Sequence, residues 1–274
     1  MSPRLSIGAA MDGHLRRTGW AIAALFLSAV AANAAIVPPK GATIQGVDIS
    51  SSDGPIDWST VSTSGVGFVI TRLGFGTTVD SQFANNWQGI HADGLVRGAY
   101  QVFAPNLSAL DQANVFLAQA GTLGHGDLAP ILDVETTNGQ SNATIIAGID
   151  LWVATVESAT GRTPIILTGR NFWNGIGSPS ADGTDLWIGA FSVAAPNLPT
   201  AWSDWRLWLY GTGSRLGLGN VDLDQFNGSA ADLQAFAGGA PEPATWAMML
   251  LGVGMVGGVR RVARRESNRA PAAR

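Results

Sequence analysis

Short apolar runs closed by Gly, Pro, Asn or Asp recur along the middle of the chain. Eight of them have the length and the β-branched or aromatic content of strands: 43–50 (TIQGVDIS), 67–73 (GFVITRL), 96–103 (VRGAYQVF), 129–135 (APILDVE), 163–169 (TPIILTG), 185–191 (DLWIGAF), 205–210 (WRLWLY) and 221–226 (VDLDQF). Between the early runs the apolar positions take up helical spacing. Helices are predicted over 57–64, 83–93, 107–120 and 141–160, with a short helical turn near Asn171. The longest presents Ile145, Ile149, Trp152 and Val156 on one face before Gly161 stops it. After Asp185 the strands are expected to follow one another through loops alone. Strands alternating with helices, then three strands without them, predict an α/β fold, a truncated TIM-like (β/α)5(β)3 barrel.

In such a barrel the chemistry sits at the C-terminal ends of the strands. Acidic residues gather there: Asp48 in the first run, Asp133 and Glu135 closing the fourth, and Asp222 with Asp224 in the eighth. Barrel closure brings the first and eighth strands side by side. Asp133 and Glu135 are two residues apart, so their side chains face the same way, with Cα atoms about 6.6 Å apart at about 3.3 Å per residue. Like charges at that spacing raise each other's pKa, which folding alone gives no reason to do. Asp222 is read as the functional member of its pair and Asp224 as a loop or solvent residue.

Composition narrows the chemistry. The chain has no cysteine and three histidines (His14, His91, His125), which removes disulfides, thiolate metal sites and a cysteine nucleophile. Carboxylates around one cavity then point to acid/base hydrolysis of a sugar or to divalent-cation binding, although no full oxygen cage is legible. No cofactor is expected, and no glycine-rich phosphate loop is present. Between residues 35 and 240 stand 7 Arg or Lys against 17 Asp or Glu, a net charge of −10 that argues against a nucleic-acid partner.

Both ends read as addresses. Arg16-Arg17, the apolar stretch from Trp20 to Val30 and Ala32-Asn33-Ala34 compose a secretory signal peptide over 1–34. Pro241-Glu242-Pro243 precede an apolar run ending at Val259, followed by Arg260, Arg261, Arg264 and Arg265. That run is short beside the roughly 20 residues of a spanning helix, and the arginines mark its cytoplasmic side. The arrangement over 241–266 resembles the PEP-CTERM sorting signal, leaving 267–274 as a disordered tail. The resemblance implies export in a Gram-negative bacterium to the periplasm, cell surface or exterior. It also implies partnership with the export machinery and an exosortase, and a transient membrane anchor through the C-terminal helix.

The body, 35–240, resembles glycoside hydrolase family 25, the Chalaropsis-type lysozymes or N-acetylmuramidases. GVDISSSDGPIDW, SGVGFVITRLGFG, GLVRGAYQVFAP, PILDVE, PIILTGRNFW, DLWIGAF, WRLWLYG and VDLDQFNGS carry the likeness in order. It implies hydrolysis of the β-1,4 bond between N-acetylmuramic acid and N-acetylglucosamine in peptidoglycan. Glu135 would be the general acid and Asp133 would orient the participating group, while Asp48 and Asp222 would line the cleft. Two carboxylates on one strand suit retention through the substrate's own N-acetyl group. Tyr100, Phe103, Trp208 and Tyr210 are the candidate sugar-binding rings, with Trp173 beside them; Trp58, Trp152, Trp187 and Trp205 read as core. The chain departs from the family pattern at Ser52-Asp53, Gln101, Leu167 and Leu209, positions expected to shape sugar subsites. The alternatives are a glycosidase for another N-acetylhexosamine polymer and a non-catalytic glycan-binding surface protein on the same barrel.

Overall fold

The computed structural model describes residues 36–238 apart from 59, 60, 62, 63 and 182. The predicted leader over 1–34 and the sorting segment with its tail over 241–274 lie outside the described residues. Nine strands are found among the described residues: β1 (Thr43–Ile49), β2 (Phe68–Phe75), β3 (Thr78–Val79), β4 (Val96–Val102), β5 (Ile131–Asp133), β6 (Ile165–Gly169), β7 (Asp185–Gly189), β8 (Leu207–Arg215) and β9 (Leu218–Asn227). The helices are α1 (Phe83–Ala92), α2 (Ala109–Ala120), α3 (Asn142–Thr160), α4 (Arg170–Gly175) and α5 (Ala230–Phe236). Eight strands close into a barrel in the order β1-β2-β4-β5-β6-β7-β8-β9, and β9 returns to β1; β3 is a short ribbon on β2. This is the truncated TIM-like barrel that the pattern predicts.

Each parallel strand is apolar on both faces because both faces are covered. Inward residues such as Phe68, Ile70, Ile131, Ile165, Trp187 and Phe226 fill the barrel. Outward residues of β4 to β6, among them Phe103, Leu132 and Ile166, pack against Phe116 of α2 and Ile149 and Trp152 of α3. Val47, Ile49 and Val69 of β1 and β2 meet Ile90 of α1. Over β7 and β8 no helix is needed, because Leu198, Trp202 and Trp205 from the preceding loop cover Leu186 and Ile188. Helix ends follow their caps: the Ser108 and Ser141 hydroxyls accept from Asp111 N and Thr144 N, and Gly161 closes α3 in the left-handed region at φ 66.

Three expectations need correction. First, although β7, β8 and β9 do follow one another through loops alone, the last three strands are not without a helix, because α5 follows β9. Ser229 and Asp232 form a capping box, and Leu233 and Ala237 enter the barrel's apolar interior and stopper its N-terminal end. Second, β8 and β9 extend well past 205–210 and 221–226 as a hairpin. Its two turn residues, Leu216 at φ 55 and Gly217 at φ 74, both take the left-handed conformation of a tight hairpin turn. Leu216 accepts that conformation because its side chain is buried against the Val47 cluster. Third, β5 is shorter than 129–135, since Pro130 has no N–H for a ladder. The helix predicted over 57–64 lies partly outside the described residues, which lack 59, 60, 62 and 63, and its Trp58 and Val61 are in 3-10 conformation; a further 3-10 helix, Ser51–Asp53, follows β1 directly.

Candidate active site

β9 decides where the acids stand. It runs antiparallel to β1, with Asp48 opposite Asp222 and Gly46 opposite Asp224. Asp222 therefore sits midway along its own strand and reaches the same end of the barrel as the C-terminus of β1. Cross-strand partners share a face. Asp48, Asp222 and Asp224 all follow the inward parity of Ile44 and Phe226, and Asp224 is fully buried. The expectation that Asp224 is a loop or solvent residue is thus overturned: alternation buries it one step below Asp222, beneath the absent side chain of Gly46. A Cβ at 46 would stand 2.2 Å from the Phe68 ring, so that position leaves no room for anything larger.

Asp48 and Asp224 form a carboxyl pair at the base of the cleft. Trp187 Nε1 donates to Asp224 Oδ1 at 2.8 Å, and the Oδ2 atoms of both acids have no donor from the rest of the protein. The two carboxyls hydrogen-bond to each other, which requires that one of them hold a proton. Burial first, then the neighbouring acids, holds Asp48 well above the usual carboxylate range. Burial likewise pushes Asp224 up to about 8, against the Trp187 hydrogen bond. Trp187, which the sequence reading assigned to the core, is both: its ring meets the edge of Tyr100 inside the barrel.

β5 faces this pair from across the barrel. Asp133 ends the strand beside Val102 and Leu167, is 7% exposed, and has an Oδ1 atom without a donor. Burial and then the Glu135 charge raise its pKa well above the ordinary value, while Arg72 opposes them. Glu135 reaches solvent in the open cleft, and its pKa is raised by burial and then by Asp222. Gly189 makes space for it: a Cβ there would stand 3.4 Å from Glu135 Oε1. Asp222 is itself raised, by burial and then by Asp53.

Arg72 and Asp80 belong to the site and were missed. Arg72 follows the inward parity of Phe68 and Ile70 on β2, and its Nη2 lies 2.7 Å from Asp80 Oδ2. Asp80 also accepts from Ser51 N and Oγ and from Gln82 N. Burial works against its charge, but the Gln82 and Ser51 amides with the Arg72 guanidinium outweigh it and hold the pKa below the usual value. The clamp ties the turn after β1 to β2. A guanidinium at an inward position of the apolar run FVITRLGF was the available signal.

The sugar-binding rings do not gather at these acids. Phe103 is 1% exposed in the outer core, because it follows the outward parity of β4. Trp208 is buried on the outer face of β8 with its Nε1 on Ala190 O, and Tyr210 donates to Gln45 Oε1 on the same outer side. Trp173 is core as well. Tyr100 does face inward below the acids, but only 8% of it is exposed, leaving no ring face for a sugar. Among the departures, Gln101 is not a subsite residue: it is buried behind the wall, bonding Gly76 O and Gln112 O and accepting from Trp152 Nε1. Leu167 and Leu209 do face the barrel interior.

Among the described residues no group of three or more His, Cys, Asp or Glu is arranged to hold a metal ion. A cavity of about 520 Å³ opens at the opposite end of the barrel near α5, lined by Lys40, Arg206 and Phe236 among others. Its cations are already paired, Lys40 with Asp204 and Arg206 with Asp185, so the reactive groups lie at the acid end.

The comparisons agree with this geometry. The profile described as glycosyl hydrolases family 25 matches residues 47–217, and the PEP-CTERM protein-sorting motif matches residues 240–265. The chain is 31% identical to lysozyme M1 of Streptomyces globisporus, over 74% of each chain. It is 30% identical to an N,O-diacetylmuramidase of Arthroderma benhamiae, over 80% of this chain and 97% of the relative. The crystal structure of the bacterial lysozyme from Streptomyces coelicolor superposes with a TM-score of 0.67 at 32% identity, covering 71% of this chain and 96% of that one. An exported barrel with a carboxylate-lined mouth, matched in sequence and in structure, is a glycoside hydrolase, and the chain belongs to glycosyl hydrolases family 25.

Proposed function

We propose that the protein is a lysozyme that hydrolyses the β-1,4 bond between N-acetylmuramic acid and N-acetylglucosamine in peptidoglycan, with Glu135 as proton donor and Asp133 as its assistant. The observation that carries this is the pairing of a buried Asp133, one oxygen unpartnered, with a solvent-reaching Glu135 whose pKa is raised. A donor must keep its proton near neutral pH, and desolvation with the Asp222 charge supplies that. Asp133 Oδ1 is free to accept the N–H of the 2-acetamido group. The acetamido oxygen then bonds to C1 as the C1–O4 bond breaks, and the Glu135 proton passes to O4. Water next adds to C1 as the bond from C1 to the acetamido oxygen breaks, restoring the N-acetyl group and giving its proton to Glu135, and configuration is retained.

The sorting motif supports an exported protein, and we assign its final site to the periplasm, cell surface or exterior after processing by an exosortase. To test the activity, the full-length protein is incubated with isolated peptidoglycan and the new reducing ends are reduced and identified. Muramic acid at those ends is the expected result. N-acetylglucosamine there overturns the bond assignment, and glycan binding without new ends favours a non-catalytic glycan receptor.

The Asp222 charge makes a separate prediction. Asp222→Asn removes a repulsion that raises Glu135, so the alkaline limb of the kcat profile shifts to lower pH. An unmoved or raised limb counts against Glu135 as the titrating donor.

A further inference from the structure

Among the described Phe, Trp and Tyr residues only two rings stand exposed, Phe75 at 49% and Phe191 at 50%. Both lie at the acid end of the barrel, at the close of β2 and just past β7. In the eight-strand ring β2 and β7 are four strands apart in either direction, hence diametrically opposed. The acids lie on a crossing axis, with Asp48, Asp222 and Asp224 on adjacent β1 and β9, and Asp133 and Glu135 on β5.

Both side chains turn toward the cleft. Phe75 pairs with Val102, which pairs with Asp133, and cross-strand partners share a face, so the ring shares the face of Asp133 two strands away. A register shift between Arg72 and Gly74 brings Phe75 to that side. Past β7, Ala190 continues the ladder through its N–H to Leu209 O and packs on the outer face with Trp205 and Trp208. Alternation then turns Phe191 to the side of Gly189, the residue that abuts Glu135. Beside it the floor is bare: a Cβ at Gly169 would meet nothing within 4 Å. Each half-exposed phenyl ring leaves apolar surface in water, which a ligand with apolar faces covers.

We propose that Phe75 and Phe191 are the two stacking platforms for the glycan, so that the strand crosses the barrel mouth from β2 to β7 between the two banks of acids. Phe191, beside the proton donor, holds the sugar on the leaving side of the cleaved bond. Phe75, in the row of Asp133, holds the sugar chain on the retained side. The assignment of sides rests on Glu135 as proton donor; the existence of the platforms does not.

Binding of peptide-free glycan strands is measured on full-length Glu135→Gln, alone and with Phe75→Ala or Phe191→Ala, using Leu151→Ala on the far surface of α3 as control. Each Phe→Ala change is expected to weaken binding about tenfold, and Phe→Tyr at the same position to restore it. Parental affinity in both Ala variants overturns the platforms. The sides are read on active protein by comparing strand hydrolysis with that of an aryl glycoside, which has no sugar beyond the cleaved bond. That ratio is expected to fall about tenfold for Phe191→Ala and to hold for Phe75→Ala; the reverse pattern overturns the assignment. If the protein hydrolyses neither substrate, the glycosidase reading fails while the binding measurements still decide the platforms.

Discussion

Exchange of Glu135 for Gln is expected to lower turnover of peptidoglycan strands by about 10²- to 10⁴-fold, the range for loss of a positioned proton donor. Gln keeps the volume and a hydrogen-bonding carbonyl, and Gly189 still leaves space for it, so binding should persist while O4 has no proton to receive. The deficit should depend on the leaving group. An aryl glycoside whose phenol departs as an anion needs no protonation at that step, so on it the variant should regain most of the lost rate. A structural role for Glu135 would depress both substrates alike. Strand turnover within about threefold of wild type, well inside the range for a lost donor, would sink the assignment.

The Asp48–Asp224 pair should make unfolding stability fall as pH rises. Asp224 is fully buried with its pKa at about 8, against an ordinary value of 3.8. Between these values the folded state binds more protons than the unfolded one, so the unfolding free energy decreases with pH. At about 1.4 kcal/mol per unit, this one group amounts to on the order of 5 kcal/mol across the window. Asp48 and Asp133, also raised, act with the same sign. Asp80 acts oppositely: its contribution is complete above its unfolded pKa and is lost as pH falls through the depressed folded value. Asp224→Asn keeps an acceptor for Trp187 Nε1 and supplies an amide donor to Asp48. Urea midpoints measured from pH 4.5 to 8 should therefore slope less in this variant than in wild type. Equal slopes would show that the pair does not carry the proton uptake, because self-repulsion of the acidic body is common to both proteins.

Much of the fold is legible in local pattern because parallel strands and amphipathic helices each write their own period. The α3 face of Ile145, Ile149, Trp152 and Val156 is buried as spaced. α5 escaped notice although Ser229-x-x-Asp232 is a helix-start signal, since seven residues make too short a period to see. The β8–β9 extension escaped because TGSRLGLGN reads as a glycine-rich loop, and only pairing with a partner strand makes it extended.

The sequence by itself determined the barrel, its open end and the local pairing of Asp133 with Glu135, because period-two alternation and strand order are properties of short segments. Tertiary structure alone decided which acids belong together. The reversal of β9 sets Asp222 against Asp48 and sinks Asp224 beneath them, and no local pattern states the direction of a strand. It also decided which rings meet water. Phe103, Trp208 and Tyr210 have the composition of sugar platforms, but their parity turns them to the outer wall, whereas Phe75 and Phe191 are left exposed. Which face of a strand is inside is a matter of register, and register exists only once the neighbouring strands have paired.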